Sequence, residues 1–271
     1  MLERIQYWTT LSGTQIARLD RQRTVLIWPL GQNHPHGPHL PQGTATYISR
    51  YIAREAADLL TLTARELNVV ILPTLAYGLA PEDDPAPAAD LMLSLQPATM
   101  QRIVTDLGQK LLASAGFRAL FGLHYCTTGQ PSPALQEAFV ALKGRARDAV
   151  VDLIQGPVDG PDAPAAPDLT TLARRRITPR EQAALTRPEH AGMRTTAMLL
   201  AIDPNLVEPG YLQLKEHQPT EGISDDDPGY YGGAPALADA ALGRALLSEQ
   251  AYRCAALMRA ALSDLLEARA D

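Results

Sequence analysis

A run of apolar residues, Thr24 to Leu30, stops at Gly31 and gives way to the segment G-Q-N-H-P-H-G-P-H-L-P-Q-G-T. Beyond it Ile48, Tyr51, Ile52 and Leu59 recur at helical spacing. A short apolar run bounded by Gly and Pro reads as a buried strand, and the period that follows reads as an amphipathic helix over Ala45 to Leu60. Strand, loop, helix is the repeating unit of a parallel sheet. The alternation continues with strands at Asn68 to Leu72, Phe117 to Leu123 and Ala149 to Ile154, and helices at Pro97 to Ser114 and Pro133 to Leu142. The expected fold is α/β, a single three-layer α/β/α domain over 1–271 with a mostly parallel sheet.

Residues 1–23 read as a short helical lead-in, with Leu11, Ile16 and Leu19 on one face. Residues 81–90, with their prolines, predict a loop over one end of the sheet. Thr178-Pro179-x-Glu181 is a helix start, and His190-Ala191-Gly192 leads into a helix through Met198, Leu199 and Leu200 that stops before Pro204. Residues 205–235 read as mostly loop. The final stretch reads as one long helix carrying Leu242, Leu246, Leu257, Leu265 and Leu266.

Charge and composition remove several classes of function. A net charge of −6 offers no clustered basic face for nucleic acid. No apolar run reaches the ~18 residues needed to cross a bilayer. Two cysteines, Cys126 and Cys254, are too few for a disulfide framework, and the amino terminus lacks a secretory pattern, so a reduced, cytoplasmic setting is expected. Short acidic runs at Glu82-Asp83-Asp84 and Asp225-Asp226-Asp227 read as solvated loops. A small-molecule substrate is the expected partner.

Half of the six histidines, His34, His36 and His39, sit in the loop after the first strand. In open α/β sheets ligands bind at such strand ends. His34 and His36 are two apart, so an extended backbone turns both to one side. His124 leaves a neighbouring strand at the same end, His190 heads a later helix, and Cys126 could add a thiolate. Three protein ligands and one open position make a catalytic zinc site. The plainer alternative is that each is a surface or hydrogen-bonded histidine, and that Cys126 is an inert buried thiol.

Gly31 to Thr44 resembles the signature of the creatininase family of amidohydrolases, G-S-x-E-Q-H-G-P-H-L-P-x-x-T-D, with His36-Gly37-Pro38-His39-Leu40-Pro41 identical. Val70-Ile71-Leu72-Pro73 with Tyr77-Gly78 is similar to its v-x-P-x-x-x-Y-G, and Gly116-Phe117-Arg118 with Gly122-Leu123-His124 to its h-G-f-r and N-G-H segments. His190-Ala191-Gly192-Met193-Arg194-Thr195-Thr196 resembles H-A-G-x-x-E-T, and Leu199 to Val207 and Gly229-Tyr230-Tyr231-Gly232 also fit. The resemblance implies a creatininase-type fold, a homo-oligomer that is often a hexamer, and hydrolysis of cyclic or linear amides with two divalent metals, typically Zn²⁺ or Mn²⁺.

The departures limit what carries over. The family's first carboxylate ligand falls on His34 and its bridging aspartate on Ala45, while an acidic ligand falls on Cys126. The E-H and P-G-T segments fall on Glu82-Asp83 and Pro87-Ala88-Ala89, and the glutamate of H-A-G-x-x-E-T falls on Thr195. Without a bridging carboxylate a dinuclear site is not expected. One expectation is a single Zn²⁺ on His34, His36 and His124, with His190 moving the proton and Cys126 as a possible fourth ligand. Another is a metal-free pocket using His190 and Cys126 as acid–base or nucleophilic groups. The reaction is then cleavage of an amide or lactam C–N bond, or the reverse cyclisation. The competing class is a catalytically silent binding or assembly subunit.

Overall fold

The computed structural model describes residues 4–79, 92–126, 132–159, 162–218, 229–263 and 265. Its centre is a sheet of five parallel strands, β1 (Ile5–Tyr7), β2 (Thr24–Leu30), β3 (Asn68–Ile71), β6 (Ala119–Tyr125) and β7 (Val150–Gly156), in the order β1-β3-β2-β6-β7. A two-stranded parallel ribbon, β4 (Gly78–Leu79) with β5 (Ser94–Leu95), stands apart from it.

All seven residues of β2 and all seven of β6 are buried, because helices cover both faces of the sheet. Alternation along each strand divides the core into two. Val25, Ile27, Val69, Ile71, Phe121 and Leu123 pack toward α2 (Thr44–Thr63), α7 (Met193–Ile202) and α8 (Ala240–Ala261). Leu26, Trp28, Leu30, Val70, Leu120 and Val151 pack toward α3 (Pro97–Gln109) and α4 (Pro133–Arg145). A side-chain period of two between two helical layers produces that split. On the first face α7 and α8 approach so closely that a Cβ on Gly243 would lie 1.8 Å from the Ala197 carbonyl oxygen.

The expected layers and the parallel sheet are present. The lead-in differs from expectation: Ile5–Tyr7 is the edge strand β1, paired with β3, followed by a 3₁₀ turn and a short α1 (Gly13–Ala17). The stripe of the third helix runs past Gln109 into a π turn at Lys110–Ser114. α8 is the expected long terminal helix. The acidic runs and the P-G-T equivalent lie outside the described residues. Among those described, no helix is long and apolar enough to cross a membrane.

The chain leaves β2 toward β3 on one side, and β6 returns on the other side. The carboxyl ends of β2 and β6 therefore flank the point where strand order reverses, the place where open α/β sheets bind ligands. The histidine loop lies at this point.

Candidate metal centre

The loop after β2 is tied down at both ends. The Gly31 amide donates to the Leu75 carbonyl at 2.8 Å, and the His34 amide to Gln42 at 3.0 Å. His36 Nδ1 lies 2.6 Å from the His34 carbonyl oxygen. A carbonyl only accepts, so Nδ1 carries the proton and Nε2 keeps the lone pair.

His190 arrives from the other side of the chain. It exchanges both backbone hydrogen bonds with Tyr231, at 3.1 and 2.9 Å. Its Nε2 lies 2.9 Å from the Pro35 carbonyl, which assigns the proton to Nε2 and the lone pair to Nδ1 by the same argument. The rings of His34, His36 and His190 have centroids 4.7 to 5.2 Å apart. One ring nitrogen of each falls within 4.8 Å of the other two, and all three residues are buried. Burial, and then the neighbouring His190 and His34, push the His36 pKa well below 6.5. The neutral imidazole that binds metals is the form this environment favours.

The other histidines have different surroundings. His39 Nε2 is 2.8 Å from the Thr196 hydroxyl, which donates its own hydrogen to the Gly192 carbonyl at 2.7 Å. His39 must therefore donate, and this bond ties the loop to the start of α7. Burial lowers its pKa to about 4. His124 is paired in register with Leu30, and its Nδ1–H donates to the Leu30 carbonyl at 3.1 Å. It stays outside the set of three, as does Cys126, whose amide donates to Gly156 at 3.0 Å. The sequence grouping of His34, His36 and His124 is thus not the one the structure assembles. His190 takes the third place, because the Tyr231 bridge carries it over Pro35.

The site lacks carboxylates. Ala45 is buried in the first turn of α2, and among the described residues no Asp or Glu joins the histidine set. Three neutral nitrogen donors fit one ion of zinc type and cannot bridge two.

Glu189 does not stand out in the sequence, yet it is central to the turn before α7. It is 5% exposed and accepts from the Arg194 amide at 2.9 Å and from the Thr195 amide and hydroxyl, each at 2.8 Å. Its carboxylate thus caps α7, whose N-cap, Gly192, has no side chain to do so. The turn between Glu189 and the helix is strained, with Ala191 at φ +51°. Gly232, at φ +102°, must stay bare because a Cβ there would lie 2.4 Å from that of Glu189. A helix beginning on Gly with a Glu just upstream was the available signal.

The family model described as creatininase, creatinine amidohydrolase, matches residues 9–258. The mycofactocin precursor peptide peptidase of Mycolicibacterium smegmatis is 26% identical over 245 residues, 90% of this chain and 88% of that protein. Among solved structures, a creatininase mutant superposes with a TM-score of 0.70 at 19% identity, over 94% of this chain and 97% of the other. A manganese creatininase gives 0.66 at 18% identity over 94% and 97%. A creatininase mutant of Zn–Zn type gives the same values.

Proposed function

The chain belongs to the creatininase family, and from that premise we propose that it hydrolyses an amide C–N bond of a small molecule or short peptide, with one divalent ion on His34, His36 and His190. The observation that carries this reading is the set of three buried imidazoles with ligand atoms within 4.8 Å of one another. An all-imidazole set favours Zn²⁺ over Mn²⁺. Similarity to a precursor-peptide peptidase keeps peptide amides within the substrate class.

When bound, the ion would supply Lewis acidity at the amide carbonyl and lower the pKa of water. The chain's own groups prepare for it. The His34 and Pro35 carbonyls accept the outer ring protons of His36 and His190, which fixes both tautomers before any ligand arrives. Burial of the loop keeps His36 neutral. A His190 that lends its lone pair to an ion cannot also take up a proton, so proton transfer passes to another group. His124 is suited to it: the Leu30 carbonyl holds Nδ1–H, and Nε2 is left as the base.

Metal analysis of protein purified without added metal tests the reading. We expect about one Zn²⁺ per chain, the stoichiometry of a single three-ligand site, lost in His36→Ala. Turnover on a panel of amides, lactams and short peptides should stop with chelator and return with Zn²⁺. Metal-free protein whose turnover ignores chelator would leave the metal-free enzyme. Metal-free protein without turnover would leave the binding or assembly subunit.

A further inference from the structure

A cavity of about 710 Å³ opens between the first half of α2 and the carboxyl ends of β2 and β3. This is within the ordinary range for small-molecule pockets. No histidine lines it, so it is distinct from the candidate metal centre. Tyr47, Arg50, Tyr51 and Arg54 follow one another at helical spacing along its α2 wall, with Tyr7 and Asp203 on other walls. Between the polar groups lie Ile71, Leu72 and Leu206.

The charges within it are unequal in availability. Arg54 is already ion-paired with Asp58 at 2.5 Å. The Asp203 carboxylate accepts from the Asn205 amide and side-chain amide at 3.0 and 2.9 Å. Arg50 makes no hydrogen bond or ion pair among the described residues. One uncommitted guanidinium therefore faces a chamber with three phenol groups and an apolar floor. A guanidinium presents a planar fork of donors that matches an oxyanion, and tyrosine rings with aliphatic side chains favour a flat apolar body.

We propose that this cavity binds a small organic oxyanion, a carboxylate or phosphate monoester carried on a flat apolar body, with Arg50 as its charged anchor. The site stands apart from the amide-hydrolysis reading, because no metal ligand takes part in it.

Isothermal titration of chelator-stripped protein with benzoate, phenyl phosphate and the uncharged isostere benzamide tests this. At least one oxyanion should bind, with benzamide at least about tenfold weaker, and the tighter of the two identifies the headgroup. Arg50→Ala should weaken the oxyanion by roughly tenfold or more, and Arg50→Lys by less, since an ammonium keeps the charge without the fork. Arg50 is exposed, so both variants should retain the wild-type melting temperature. His36→Ala, which removes the metal centre, should bind the oxyanion like wild type. Equal binding of benzoate and benzamide, full affinity in Arg50→Ala, or loss in His36→Ala instead would each overturn the proposal.

Discussion

The starts of helices α6 (Pro179–Leu185) and α7 each hold a buried glutamate, and the two carboxylates are held in opposite ways. Glu181 closes a capping box with Thr178 and takes the Arg175 guanidinium at 2.6 Å, which also reaches Asp239 at 2.5 Å. The Arg175 hydrogen bond holds its carboxyl down at about 2 from an ordinary 4.5. Glu189 is buried as deeply, yet it accepts from two backbone amides and one hydroxyl. The Arg194 guanidinium turns instead to the Leu185 carbonyl at 2.5 Å. Burial raises the Glu189 pKa, and the Arg194 charge offsets this only in part. A fully paired carboxylate adds stability. A buried carboxylate with only neutral donors, next to a strained Ala191, holds a shape at some cost. The shape it holds is the turn that presents His190.

Removing His190 should give the largest effect on this contrast. His190→Ala should weaken Zn²⁺ binding by on the order of 10³-fold, about 4 kcal/mol, while His124→Ala keeps the metal and loses turnover. Competition with a chromogenic chelator reads the first, and an amidase assay the second. Metal lost from His124→Ala and kept in His190→Ala would restore the grouping expected from sequence. Next comes Glu189→Ala, which strips the start of α7 of its cap and orphans buried donors. It should cost about 3 kcal/mol in urea unfolding. It should also weaken metal binding roughly tenfold or more, as loss of a group that orients a ligand does. An unchanged metal affinity would reduce Glu189 to a helix cap.

Glu181→Ala should cost less, about 2 kcal/mol, and leave metal affinity alone. Its contribution should also follow pH in a definite sense. The folded-state value lies below the unfolded one, so the stability it adds is complete above 4.5 and fades as pH falls toward 2. The gap between wild type and Glu181→Ala in chemical unfolding should therefore close over that acid range. A gap that stays constant would mean that the Glu181 charge contributes nothing, either to the Arg175 pair or to the cap.

Much of this was legible in the sequence, for reasons tied to particular residues. β2 and β6 are continuous apolar runs because both faces are covered, and α2 shows its stripe because only one face is. The capping box at Thr178 announced α6. β1 was hidden because three residues carry too little pattern to distinguish a strand from a helical turn, and only pairing with β3 decides it. The histidine loop announced a metal site through concentration alone. The membership of that site was not legible, since Tyr231, on a distant segment, places His190 over Pro35. Glu189 was overlooked because a glutamate after Arg187-Pro188 looks solvated, and its burial depends on how Gly232 and α7 close over it.

The smallest expected effect discriminates most sharply between the two helix starts. Glutamine keeps the shape and one acceptor oxygen of glutamate but removes the charge. At Glu181 the charge is what Arg175 and the capping box use, so Glu181→Gln should still cost about 1.5 kcal/mol. At Glu189 the charge is the unfavourable part. A glutamine oxygen in the Oε1 place keeps the Thr195 amide and hydroxyl donors, and only the Arg194 amide is left facing the NH2 group, a loss that removal of the buried charge offsets. Glu189→Gln should therefore fall within about 1 kcal/mol of wild type. The order of the alanine variants is then inverted: Glu189 is the more costly residue to truncate and the less costly to neutralise. Urea midpoints for the four variants at neutral pH read both orders at once. If Glu189→Gln proves the more damaging neutralisation, the carboxylate charge itself is needed at the start of α7, and the difference drawn between the two regions fails.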